Sequence, residues 1–289
     1  MRTVAAALLA LAAPALAQPG AAPVDDRRPP LFVLEDADSR VYLLGSVHVL
    51  PASALPLPPA VEAAFADADV VAFEIDLDAA EREASGMARK GTNGTTVAEA
   101  LSPEQAKRLN AALGHLGLPA GALDAFEPWL AALSITAFDV RKRGAMAPGG
   151  VDRHLFDRAK ALQREIVPLE TAAHQTDVFD GLAVKDQVAL LMSTVDALGG
   201  EDDALDALLD VWARGDDDAL AAIMREGFEA TPGLEGRLLT GRNRSWVPQV
   251  EALLARDRNA LVVVGAGHLV GEGSVVSMLR EAGYEVVRQ

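Results

Sequence analysis

Val41-Tyr42-Leu43-Leu44-Gly45-Ser46-Val47-His48 and Leu261-Val262-Val263-Val264-Gly265-Ala266-Gly267-His268 state one pattern twice, an apolar run that ends in Gly-x-x-His. Four apolar residues closed by a glycine read as a buried strand, so each histidine lies just past the carboxyl end of a strand. In an open α/β sheet that edge is where ligands bind, because the loops diverge there and leave a crevice. Two imidazoles delivered to one edge are placed to share a metal ion. The alternative reading makes each Gly-x-x-His a strand-to-loop turn, with glycine supplying the backbone angle and histidine capping a neighbour. Only five histidines occur in the chain, and two of them stand in this matched context.

Outward from the first copy, Leu31-Phe32-Val33-Leu34 and the run ending at Leu44 flank an Asp36-Ala37-Asp38-Ser39 turn, which predicts a β-hairpin. After His48 a proline-rich loop, residues 51–59, leads to a short amphipathic helix around Val61–Phe65 and then to the strand Val70–Phe73. This β-α-β unit makes the strand parallel to the one before His48 and brings Glu74, at its end, to the same edge. Residues 78–96 are charged and weakly patterned, which predicts a mobile loop or lid near that edge.

From residue 97 the chain turns helical. Ser102-Pro103-Glu104-Gln105 is a capped helix start, and Leu109, Leu113 and Leu116 form its core stripe, with His115 at the surface. A helix over 126–143 precedes Gly149-Gly150, after which Asp152 is either a helix cap or a site carboxylate, and His154 is structural. Ile166-Val167-Pro168-Leu169 predicts another strand, with Glu170 as a second strand-end carboxylate. The acidic clusters at 201–203 and 216–218 read as helix caps. A helix over 234–256 contains Arg242-Asn243-Arg244 among apolar residues. A guanidinium there requires a partner, either a carboxylate, a bound substrate or a surface salt bridge. After His268 a helix over 274–282 and a strand over 284–287 close the chain.

Composition narrows the function. Met1-Arg2-Thr3, the apolar run Val4–Ala17 and its Ala15-Leu16-Ala17 ending form a secretory signal peptide over 1–17, followed by a proline-rich disordered linker over 18–30. This predicts a periplasmic or secreted protein with no stable membrane span after cleavage. The absence of cysteine removes disulfides and thiolate chemistry, so any metal takes nitrogen and oxygen ligands. A net charge of -16 and 4% aromatic residues argue against nucleic acid as a partner. No Gly-x-Ser-x-Gly elbow is present, and the glycines after Val264 miss the spacing of a dinucleotide loop.

The ordered set Leu-Leu-Gly-Ser-Val-His (43–48), Phe-Glu-Ile-Asp (73–76), Gly-Val-Asp-Arg-His-Leu (150–155), Leu169-Glu170-Thr171 with Gln175, Arg242-Asn243 and Val-Gly-Ala-Gly-His-Leu-Val-Gly (264–271) resembles the TraB/GumN family. The resemblance implies an α/β fold over 31–289, a mixed central sheet with flanking helices and a large helical insertion at about 97–256, related to erythromycin-esterase-like and ChaN-like proteins. It further implies that His48 and His268 are metal ligands or catalytic groups, that Glu74 is the matching acid, and that Arg242 and Asn243 complete the pocket, with Glu170 beside them on the substrate side. The Tiki branch of the family is metal-dependent and favours manganese or cobalt; zinc also suits nitrogen and oxygen donors. The expectation is a metal-dependent hydrolase acting on peptides or proteins, in which Glu74 is a third ligand or a base. The alternative is an envelope protein that binds a peptide or a metal complex without turnover.

Overall fold

The computed structural model describes residues 27–143, 146–147, 149–198, 204–228 and 232–289. The signal peptide, linker residues 18–26 and the acidic cluster 201–203 lie outside the described residues. Residues 27–30, the end of the stretch read as linker, are held in place. The Arg28 amide donates to the Ala213 carbonyl at 2.7 Å, the Pro30 carbonyl accepts from the Gly45 amide at 2.7 Å, and Pro29 and Pro30 are both buried.

In chain order the elements are β1 (Leu31–Glu35), β2 (Arg40–Ser46), β3 (Leu50–Pro51), α1 (Pro59–Asp67), β4 (Val70–Phe73), α2 (Leu77–Lys90), α3 (Val97–Ala100), α4 (Pro103–His115), α5 (Pro128–Arg143), β5 (Met146–Ala147), α6 (Gly150–Ala161), β6 (Glu165–Pro168), α7 (Ala172–Asp180), α8 (Val184–Leu198), α9 (Ala204–Arg214), α10 (Asp217–Phe228), α11 (Pro232–Glu235), a π-helical turn Gly236–Thr240, α12 (Gly241–Leu254), β7 (Ala260–Gly265), α13 (Val275–Glu281) and β8 (Val287–Arg288). The main sheet has the order β6-β4-β7-β2-β1-β8. Its first four strands run parallel, and the β1–β2 hairpin and β8 add antiparallel pairs. The sheet is therefore mixed, and β7, the last long strand in sequence, lies at its centre between β2 and β4.

Strand β7 reads as an unbroken apolar run because both its faces are covered. Leu44, Val71, Phe73, Leu261 and Val263 pack on one face against α1, α6, α9 and α10, while Val41, Leu43, Val262 and Val264 pack on the other against α12 and α13. A third cluster, built from α4, α5, α7, α8 and their neighbours, forms a helical layer beside the sheet. The region 97–256 is thus helical over most of its length, but β6 returns from it to pair with β4, and α6 packs under the sheet.

Two readings change. Most of residues 78–96, expected as a loop or lid, forms α2, capped by the Asp76 carboxylate, which accepts from the Ala79 amide at 2.9 Å. Its charge-rich sequence hides a narrow apolar stripe of Leu77, Ala80, Ala84 and Met87. The helix expected over 234–256 is present up to Leu254, but it carries a π turn over Gly236–Thr240 between α11 and α12.

Register places the site. Parallel pairing sets Gly45 opposite Val264 and Ser46 opposite Gly265, and it sets Phe73 opposite Val263. Both Gly-x-x-His loops and Glu74 therefore leave the sheet at one level. The ladder from β4 to β6 extends one step further, as the Glu170 amide donates to the Glu74 carbonyl at 2.9 Å.

Candidate active site

The first loop is fixed from both sides. Trp212 Nε1 donates to the Gly45 carbonyl at 2.7 Å, and Gly150 lies so close beneath that an added Cβ would stand 2.0 Å from the Val47 carbonyl oxygen. Gly149 and Gly150 adopt positive φ values of 66° and 57°, so the chain turns into α6 directly under this loop. That contact decides the role of Asp152. Its carboxylate does not cap α6; it accepts from Ser46 Oγ at 2.8 Å and meets His48 Nδ1 at 2.8 Å. With Nδ1–H given to Asp152, the free face of His48 is Nε2.

The second loop is a short 3-10 turn, Ala266–His268. His268 Nδ1 lies 2.6 Å from Asn243 Oδ1, and Asn243 Nδ2 donates to the Gly273 carbonyl at 2.8 Å. Because the amide's NH2 is committed to a carbonyl, its oxygen must accept, which places the proton on Nδ1 and a lone pair on Nε2. Burial, joined by the Arg242 and His48 charges, drives the His268 pKa down to about 3, so the ring is neutral. Trp246 packs against it with ring centroids 4.5 Å apart.

Between the loops stands Arg242, buried to 7% exposure and lying over Trp246 at 4.6 Å. Its Nε donates to Glu170 at 3.0 Å, one terminal nitrogen donates to Glu74 and Glu170 at 2.5 Å each, and the other reaches the Leu238 carbonyl and His268 Nε2 at 3.2 Å each. All five N–H groups are engaged within the chain. Burial alone would lower the Arg242 pKa, but Glu74 and Glu170 outweigh it and raise it. Glu74 also accepts from the Gly265 amide at 2.7 Å and from Gln175 Nε2 at 3.3 Å. Burial pushes its carboxyl up, but Arg242 and the histidines hold it well below the usual carboxylate range. In Glu170 burial prevails over Arg242 and raises the pKa. In His48 burial is overcome by the Asp152 charge and hydrogen bond, with Glu74 adding, and the pKa rises to about 9.

These groups meet at Gly265. A methyl placed on its Cα would stand 3.3 Å from Glu74 Oε1, 3.6 Å from His268 Cδ2 and 3.6 Å from His48 Nε2. That point is the floor of a cavity of about 660 Å³. Its walls are mostly apolar, with Ala80, Ala84 and Met87 from α2, Leu130 and Leu133 from α5, and Phe179 from α7, and Glu81, Glu83, Arg153 and Asp157 add charge to the lining. His48, Glu74, Arg242 and His268 line it, whereas Asn243 and Glu170 stand behind them and orient His268 and Arg242. Arg244 is exposed, as are His115 and His174.

Among the described residues no three His, Asp or Glu side chains are grouped to hold a metal ion. The donor atoms explain this: His268 Nε2 and Glu74 Oε2 face the Arg242 guanidinium, and Glu74 Oε1 is bonded to the Gly265 amide. As arranged, His48, His268 and Glu74 do not fit a metal.

The pattern of the TraB/PrgY/gumN family matches residues 30–288. The chain belongs to that family. Within it, this TraB/PrgY/gumN protein is similar to the uncharacterized protein YbaP of Escherichia coli (strain K12), with 24% identity over 252 residues covering 87% of this chain and 92% of that one. The YbaP of Shigella flexneri is 25% identical over 239 residues, 83% and 87% of the two chains. A metalloprotease TIKI homolog from Amphimedon queenslandica is 44% identical over 57 residues, 19% of this chain and 11% of that protein. No solved structure matches.

Glu74, Glu170, Arg242, Asn243 and His268 are joined by hydrogen bonds, and His48 stands beside them on its own pair with Asp152. The residue that sequence reading left undecided is Asp152, and the signal for it was the Gly149-Gly150 pair, which lets α6 start against the His48 loop.

Proposed function

We propose that this protein hydrolyses peptide bonds in the cavity above Gly265, with His48 as the group that moves the proton. The observation that carries this reading is the delivery of His48 Nε2, oriented by Asp152, to the same point as Glu74 Oε1 on the floor of an apolar cavity. Neutral His48 takes a proton from the attacking water, and the imidazolium so formed returns it to the leaving nitrogen. Asp152 keeps Nδ1 protonated and stabilises the imidazolium. Glu74, ionised and of low basicity, orients the water as an acceptor. Arg242 keeps Glu74 charged and in place, and it has no donor left for a substrate carboxylate. The apolar walls suit hydrophobic side chains flanking the scissile amide. The short stretch of similarity to a protein called a metalloprotease supports the peptidase class. The start Met1–Ala17 supports action in the periplasm or after secretion.

A protein that only binds peptides is the second reading. It has one observation in its favour: with all five of its N–H groups engaged, the Arg242 guanidinium has no donor left to stabilise an oxyanion.

The test is cleavage of a mixed peptide library followed by mass spectrometry, comparing the parent with His48→Ala and Glu74→Gln. Hydrolysis predicts cleavage by the parent and a loss of about 10²-fold or more in each folded variant. Equal cleavage by parent and variants sinks the mechanism, and peptide binding with no cleavage by any of them selects the second reading.

A further inference from the structure

The groups gathered by the two Gly-x-x-His loops and the ends of β4 and β6 are the kind a divalent cation takes, yet a cation is already among them. Glu74, Glu170 and His268 each turn a donor atom to the Arg242 guanidinium, at 2.5, 2.5 and 3.2 Å. Two carboxylates and one neutral imidazole with its lone pair on Nε2 form a nitrogen–oxygen set of the type that manganese, cobalt and zinc accept. We propose that Arg242 is the resident cation of this site. Its guanidinium stands where a divalent ion would be held, and its removal opens a metal site made by Glu74, Glu170 and His268.

Three features support the assignment. The guanidinium is held on every edge, because all five of its N–H groups have acceptors within the chain. Its face is fixed as well, by the Trp246 ring at 4.6 Å. A cation held this way does not swing aside to admit an ion. The charge balance points the same way: Arg242 is the positive group that meets both carboxylates, Glu74 and Glu170. A divalent ion placed on Glu74 would meet repulsion from the guanidinium at short range in a buried setting. Replacing Arg242 by a neutral side chain removes that charge, leaves two carboxylates buried without a counter-charge, and frees the lone pair of His268. The affinity for a cation then rises because the ion relieves what the substitution left unpaired.

This inference is independent of the hydrolase reading, and its readouts are metal content and melting temperature. The parent, Arg242→Ala and Arg242→Gln are each titrated with Mn²⁺, Co²⁺ and Zn²⁺ by calorimetry, and metal retained after dialysis is counted by elemental analysis. The side-chain amide introduced by Arg242→Gln keeps an N–H for one carboxylate, so this is the variant expected to fold without metal. The parent is expected to retain less than about 0.1 equivalent and to show no metal-dependent change in melting temperature. Both variants are expected to bind about one equivalent, at least about 100-fold more tightly than the parent, with a melting temperature that climbs as metal is added. Adding His268→Ala to either variant removes that gain. A variant found unfolded is refolded with and without metal, and recovery only with metal supports the assignment. The proposal is overturned if the parent binds one equivalent that a His48→Ala/His268→Ala variant loses. It is also overturned if Arg242→Gln is folded and binds no metal, or if metal restores neither variant.

Discussion

Replacing Gly265 by alanine separates the chemistry of the site from its stability. Gly265 has φ −51° and ψ 135°, which alanine adopts without strain. The new methyl would meet Glu74 Oε1 at 3.3 Å and the two histidine rings at 3.6 Å, tight for the first contact and ordinary for the others. Reduced freedom of the unfolded chain favours alanine by about 0.4–1 kcal/mol, and the contact with Glu74 offsets part of that. The net change in stability is therefore within about 1 kcal/mol, a shift of no more than about 4 °C in Tm for a domain of this size. Catalysis responds differently, because the methyl occupies the point that His48 Nε2 and Glu74 Oε1 share. Displacing reactants by about 1 Å costs on the order of 10²-fold in rate, or about 2.7 kcal/mol in the barrier. Thermal melts run beside kcat/KM on a cleaved library peptide give both numbers. Gly45→Ala is the contrast: its Cβ would meet Pro30 Cβ at 2.9 Å and Ala266 Cα at 3.0 Å, so the strand must shift. A loss on the order of 1–3 kcal/mol in stability is expected there. Parental turnover in Gly265→Ala, within about threefold and with a parental melt, would show that the reactants do not lie between these groups.

Four further outcomes can be measured, three from the site and one from the amino terminus. With His48 raised to about 9, the fraction in the neutral, proton-accepting form is about 1% at pH 7, so kcat/KM should rise about tenfold per pH unit up to roughly pH 8.5 and level off above 9; a maximum near pH 6 refutes the base role. Stability should move the opposite way: a folded pKa above the unfolded value of about 6.5 contributes on the order of 3 kcal/mol that is fully present below pH 6.5 and lost as pH rises through 9, which chemical denaturation at pH 6 and 9.5 measures. Asp152→Asn should lower the apparent pKa of the rate profile and flatten that pH dependence of stability, whereas an unchanged profile assigns Asp152 to packing alone. Amino-terminal sequencing of the protein recovered from cell fractions should begin at Gln18, and an intact Met1 in the cytoplasm refutes the secretory reading.

The sheet and the two histidines were legible because their signals are local. A strand buried on both faces has to be apolar throughout, as β7 is, and a glycine at its end marks the close approach of another chain segment. Glu74 was legible for the same reason, as a lone carboxylate emerging from an apolar run. What was not legible depends on partners far away in sequence. The stripe of α2 is four residues wide, two of them alanines among charges, so it looks like solvated coil until α5 and α7 supply the other walls of the cavity. Asp152 stays open between helix cap and site carboxylate in the sequence, because carboxylates at helix starts usually are caps. Only the contact of Gly150 with the Val47 carbonyl, across about a hundred residues of chain, turns it to His48.

The π turn before α12 shows how the fold aims the buried arginine. Arg242 lies one turn past Leu238, and its side chain donates to the Leu238 carbonyl at 3.2 Å. In an unbroken α-helix that carbonyl would be taken by the Arg242 amide alone. The π turn over Gly236–Thr240 widens the helix just upstream and inserts one residue into its phase, which rotates everything after it by about 100°. Gly241 permits the tight crossing, because a Cβ there would stand 2.8 Å from the Gly236 carbonyl oxygen. The rotation puts Trp246 and Val250 on the sheet and, one turn earlier, points Arg242 at the ends of β4 and β6. The irregular turn and the buried guanidinium, each costly alone, are thus one device: the backbone departs from α-helical phase where a positive charge has to be set between two strand-end carboxylates.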